Sequence, residues 1–154
     1  MIPMSHDWTT LHARVDLMKP AGTTNQTIGL AWAWQSLTQS DPLNTPAKDP
    51  NHKDNDVIIL LTDGKNTENR WNSLQMPTNT AVDKRTQKVC DNLKATEITV
   101  YTVLVSEGSA TLLKDCAWDP SSPTNSAKNF FELTKSGQVV TTFNAIGGEL
   151  AKLH

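Results

Sequence analysis

This chain has no recognisable targeting segment and no ready-made catalytic motif. No stretch approaches the roughly 18 consecutive apolar residues that cross a bilayer as a helix, and the opening Met1-Ile2-Pro3-Met4-Ser5-His6 lacks the charged-then-apolar pattern of a signal peptide. Charge is mixed: 14 basic and 16 acidic side chains alternate along the chain for a net −2. No basic stripe points to nucleic acid, and no acidic tail is present. There is no G-x-S-x-G elbow, no G-x-x-x-x-G-K-[ST] phosphate loop and no H-E-x-x-H, and His6, His12, His52 and His154 are scattered. No internal repeat or domain boundary is visible, and 154 residues suit one domain with its own core. Cysteine is confined to Cys90 and Cys116, which form no C-x-x-C pair and have no nearby histidine, so zinc is disfavoured. Spacing alone leaves two free core thiols and a disulfide both open.

The most informative segment is Val57-Ile58-Ile59-Leu60-Leu61-Thr62-Asp63-Gly64. An uninterrupted apolar run this short, rich in β-branched residues, reads as a strand covered on both faces, as in a parallel sheet. It ends in Asp63, which places a carboxylate at the carboxyl edge of the strand, where open α/β sheets bind ligands and metals. Gly64 lets the backbone turn away.

Elsewhere the pattern alternates. Asp7 to Met18 reads as a helix capped by Asp7, with Leu11, Val15 and Met18 at helical spacing. A second helix runs from Asn25 or Gln26 to Gln39 and is apolar on most sides, which predicts a core helix with Trp32 and Trp34 inside. Residues 40–55 and 64–79 read as polar loops, and the second is a long loop directly after a strand's carboxyl end. A surface helix is expected over 80–95, with Val82, Val89 and Leu93 inward. A strand follows over Ile98–Val105, then a short helix capped by Ser109 and ending at Cys116. Asn129–Leu133 reads as a short strand. The final helix carries Val139, Phe143, Ile146, Leu150 and Leu153. Alternating strands and helices predict an α/β fold with a Rossmann-like parallel sheet flanked by helices.

Two constellations can carry chemistry. Asp63 and the Gly22-Thr23-Thr24-Asn25 turn would meet at one strand edge. A carboxylate, a hydroxyl and several waters are a common way to hold magnesium. The plainer alternatives are that the threonine serves the helix start and that Asp63 caps its loop. The second constellation is Trp71 beside Asn69-Arg70 in the polar loop, either a partner anchor or a side chain packed on its own domain.

Several motifs together resemble a known family. Gly22-Thr23-Thr24-Asn25-Gln26-Thr27-Ile28-Gly29-Leu30-Ala31-Trp32 is similar to the Gly/Thr turn and following helix of von Willebrand factor type A domains, and Leu60-Leu61-Thr62-Asp63-Gly64 to their second acidic motif. More narrowly, the chain resembles the A-domain carboxyl half of TadG-type proteins of the bacterial tight-adherence (Flp) pilus system. The matching stretches are Trp-x-Trp, Thr62–Trp71, Cys90–Lys94, Thr99–Val103 and Leu112–Ala117.

The resemblance implies a non-enzymatic protein-binding or adhesion domain of the bacterial cell envelope, periplasmic or extracellular. Such domains hold Mg2+ or Mn2+ at a metal-ion-dependent adhesion site, and a partner supplies an acidic group to the metal. The family's threonine ligand maps to Thr24, with Thr23 as fallback, and its aspartate to Asp63. Lys65, Asn66, Arg70 and Trp71 would flank the partner surface. The family's Asp-x-Ser-x-Ser motif occurs nowhere here, so the site is expected to be incomplete and weak or empty in this chain. The resemblance also implies a partial domain beginning after the family's third strand. That would leave the Val57–Leu61 strand with an open edge, a template for a homodimer. An envelope location makes a Cys90–Cys116 disulfide the expected state. The rival readings are a small metal-dependent α/β hydrolase using Asp63, and a metal-free structural interaction domain.

Overall fold

The apolar run at residues 57–62 forms strand β1 (Val57–Thr62), paired in parallel with β2 (Thr99–Val105), which pairs in parallel with β3 (Phe130–Leu133). The sheet order is β1-β2-β3, with Val57 opposite Thr99 and Thr102 opposite Phe130. The structure is a computed structural model that describes residues 7–19, 21–43, 45–67 and 80–153. Its helices are α1 (Trp8–Asp16), α2 (Gln26–Leu37), α3 (Thr80–Leu93), α4 (Ala110–Cys116) and α5 (Val139–Leu150). The α/β class with a parallel sheet flanked by helices is therefore observed. No described helix is long and apolar enough to cross a membrane.

Side chains alternate across the sheet and build two cores. On one face Leu30 of α2, Ile58 of β1, Cys90 and Leu93 of α3, Val100 of β2 and Cys116 of α4 pack together. On the other, Tyr101, Val103 and Val105 of β2 meet Leu133 of β3 and Ile146 of α5, with Val57 and Ile59 alongside. The central strand β2 is buried along nearly its whole length, as its neighbours on both edges and both faces require.

Local chemistry sets the helix starts. The Asp7 carboxylate accepts from the backbone N–H of Thr9 and Thr10, Asn25 from that of Ile28 and Ser109 from that of Leu112. Each satisfies a donor that the first helical turn leaves without a partner.

Several expectations are corrected. β1 lies at a sheet edge among the described residues, as the resemblance implies, but its Leu61 is 45% exposed, so the strand is not covered on both faces throughout. Run length and β-branching do not distinguish an edge strand from a central one. α1 forms where its spacing predicts a helix, and it buries none of its residues. Trp32 is 44% exposed while Trp34 packs on the core, because α2 turns Leu30, Ala33, Trp34 and Leu37 inward. In α5 the inward stripe runs through Thr142 and Ile146, which leaves Phe143 at the surface. The α-helix ends at Leu150 and continues as a single tight turn, Ala151–Leu153.

Cys90 and Cys116 are joined by a disulfide across 26 residues, with both cysteines fully buried between α3 and α4. Cross-linking a loop of this length removes about 3 kcal/mol of chain entropy from the unfolded state. A Cys90→Ser/Cys116→Ser chain is expected to melt about 10 °C lower than wild type, by differential scanning calorimetry.

Past β2, Asp119 is nearly buried. It bonds Lys128 Nζ at 2.8 Å and accepts from the hydroxyl and backbone N–H of Ser121. Burial pushes its carboxyl up, but the hydrogen bonds from Lys128 and Ser121 outweigh this and hold it below the usual carboxylate value. A depressed folded value means that this stabilisation is complete above the unfolded carboxylate value, about 3.9. It is lost as pH falls through the lower folded value. Denaturant titrations below about pH 4 should therefore show a shallower loss of stability in Asp119→Asn than in wild type.

Candidate functional site

The carboxyl end of β1 is tied to the start of α2 by buried polar side chains. Asn66 is 1% exposed. Its Oδ1 accepts from the Gln26 backbone N–H at 2.8 Å, and its Nδ2 donates to Asp83 Oδ1 on α3 at 2.7 Å. Gln26 Nε2 donates in turn to Thr62 Oγ1 at 3.1 Å and to the Gly64 carbonyl at 2.9 Å. Farther along α2 and α3, the hydroxyls of Thr27 and Thr86 hydrogen-bond at 2.8 Å, and Thr86 donates to the Val82 carbonyl.

Backbone bonds complete the junction. Thr67 N–H donates to the Thr24 carbonyl at 3.0 Å, and Thr24 N–H donates to Thr67 Oγ1 at 3.1 Å. The chain reaches this point through Gly22, whose φ of +85° lies in the left-handed region that favours glycine. Two distant segments, residues 22–27 and 62–67, are thereby held in one fixed arrangement at the sheet's carboxyl edge.

The consequence is an alternation along the loop. Thr62 and Asn66 are buried and hydrogen-bonded, while Asp63 and Lys65 between them are exposed. No described residue engages the Asp63 carboxylate in a hydrogen bond or ion pair. Thr24 lies beside this turn: a Cβ on Gly64 would sit 4.0 Å from Thr24 Oγ1. The structure thus brings Thr24 to the same edge as Asp63, and Thr23 precedes it on an exposed turn. The loop after β2 reaches the same place, since a Cβ on Gly108 would lie 3.5 Å from the Gly64 carbonyl oxygen and only 2.4 Å from Leu104 Cδ1.

Asn66 is a correction. It was expected to flank a partner surface, but it faces inward as the junction's central hydrogen-bonding group. An Asn four residues after a strand-ending Thr-x-Gly looks like any loop residue, and only the approach of α2 and α3 reveals its role. Of the other expected surface residues, Lys65 is exposed, and Arg70 and Trp71 lie outside the described residues. The sequence also gave no hint of Gln26, whose side chain bridges Thr62 and Gly64, or of the close approach of Gly108.

The donor set suits a hard cation in kind. Asp63 and Thr24 offer oxygen ligands, the chemistry that magnesium and manganese prefer. In number it is short: among the described residues no group of three or more His, Cys, Asp or Glu side chains converges. The remaining positions would fall to water or to a partner's oxygen.

Neither a family model nor a curated protein matches this chain. A similar solved structure is proximal thread matrix protein 1 from the mussel byssus, at 18% identity and a TM-score of 0.56. The superposition covers 86% of this chain but 28% of the mussel protein, so this chain spans little more than a quarter of its length. At that identity the likeness concerns the fold alone.

The junction has a direct test. Asn66→Ala leaves the Gln26 N–H and the Asp83 carboxylate short of a partner and should cost about 1–3 kcal/mol in urea unfolding. Asn66→Asp sets a second carboxylate where the amide donated to Asp83. It should destabilise at neutral pH by at least as much and recover in part as the pair takes up a proton on acidification.

Proposed function

We propose that this chain is a von Willebrand A-type domain of a pilus-assembly protein similar to the TadG type. It acts by binding a protein partner at the bacterial cell envelope rather than by catalysis. The observation that carries the reading is the convergence of Thr24 and the Thr62–Gly64 turn at the carboxyl edge of β1, with Asp63 exposed between buried anchors. A carboxylate held this way loses little side-chain and backbone freedom when it meets a cation, because its loop is already fixed.

In this reading Asp63 and Thr24 hold Mg2+ or Mn2+, directly or through water. The cation presents an open position to an acidic group of the partner. Lys65 stands at the rim, where its positive charge favours the approach of such a group. The absence of an Asp-x-Ser-x-Ser motif leaves the cation with few protein ligands, so affinity is modest and a partner's carboxylate adds a substantial share of the coordination. The parallel α/β arrangement and the edge at which these residues meet support this reading, as do the sequence motifs shared with A-type domains.

Isothermal calorimetry with Mn2+ and with Mg2+ tests it. Wild type is expected to give a saturable heat, Asp63→Ala none, and Thr24→Ala a several-fold weaker one. No saturable binding by wild type would favour a metal-free interaction domain. Binding unchanged in Asp63→Ala would remove Asp63 from the site altogether.

A further inference from the structure

The outward face of α2 is built for contact. The helix contains no Asp, Glu, Lys or Arg from Gln26 to Leu37, on its solvent side as well as its core side. A helix that ends in water normally carries charge there. Here Ile28 is 56% exposed and Trp32 44%. With Ala31, Gln35 and Pro42 they line a groove of about 310 Å³.

A second unpartnered surface lies on α1. Trp8, Leu11, Val15 and, just past the helix end, Met18 recur at steps of three and four and form one stripe. Yet α1 buries no residue, and Trp8 is 69%, Val15 59% and Met18 72% exposed. Arg14 and Asp16 lie outside the stripe and can stay in water while it is covered. One chain thus carries both an uncharged apolar groove and an amphipathic helix with an exposed apolar stripe.

We propose that this pairing is made between two copies: α1 of one chain packs in the Ile28–Trp32 groove of a second, and the second returns the contact. The exchange is two-fold and closes on itself, so it yields a dimer and not a fibre. The groove is open to such a contact, since none of the residues that line it belongs to α1. The area suffices. Only the exposed parts of Trp8, Val15, Met18, Ile28 and Trp32 remain to be covered, and over the two symmetric contacts these total on the order of 1,200 Å², at the lower end of stable specific interfaces. This inference does not rest on the metal reading, since no residue of the groove or the stripe belongs to the Asp63–Thr24 edge.

Sedimentation velocity over a wide range of concentration decides it. Wild type is expected to be a dimer. Trp32→Lys in the groove and Val15→Lys on the stripe should each weaken it by about 30-fold or more, the effect of losing a central interface residue. An equimolar mixture of the two variants should regain part of the association, because one wild-type stripe then meets one wild-type groove. Both positions are exposed, so far-UV circular dichroism should be unchanged. Should Val15→Lys lose helix, Met18→Lys beyond the helix end reads the same stripe. A wild-type monomer at every concentration overturns the proposal, including one in which α1 folds back on its own α2. A dimer that survives both variants also overturns it and points to pairing through the open edge of β1.

Discussion

The side chain of Asn66 is the constraint on which the carboxyl edge of this domain depends. One amide joins three elements: it accepts from the first backbone N–H of α2, donates to Asp83 on α3, and lies in the loop that leaves β1. A buried amide with both ends satisfied is costly to disturb, because either partner would be left without a hydrogen bond away from water. Gln26 extends the same tie to Thr62 and Gly64. Together they convert a flexible Thr-Asp-Gly-Lys-Asn sequence into a rigid platform in which, of these five residues, Asp63 and Lys65 are exposed.

That rigidity is what suits the edge to binding under the proposed reading. Among the described residues the platform offers a fixed carboxylate, a neighbouring hydroxyl and a nearby cationic side chain. The α2 helix links this edge to the apolar groove, since its first residue belongs to the platform and its outward face to the groove. A partner at the edge and a second copy at the groove would therefore read two ends of one helix.

Much of the architecture was legible in the residues. The run at Val57–Thr62, the β-branched and aromatic run at Thr99–Val105 and the Phe130–Leu133 pair announced the strands, and the caps at Asp7 and Ser109 announced helix starts. Those signals are local, fixed by side-chain shape and by hydrogen bonds within one turn. What failed was non-local. Trp32 and Leu61 look like core residues by type, yet their exposure depends on which neighbours the sheet and helices lack. The stripe of α1 has the spacing of a buried face, and periodicity does not say whether anything lies against it. At the site, Asp63 and Thr24 were legible as chemistry at a strand edge, while Asn66 and Gln26 were not. Their roles arise only where two segments some forty residues apart meet.

The central claim is that the junction is formed and rigid in solution, and amide hydrogen exchange followed by NMR tests it most directly. The N–H groups of Gln26, Thr24 and Thr67 should exchange slowly, with protection approaching that of the β2 amides, because they open only when the loop after β1 parts from α2. If these three exchange as fast as amides in the exposed residues 48–55, the loop is not held by Asn66, and the fixed presentation of Asp63 on which this account stands would be contradicted.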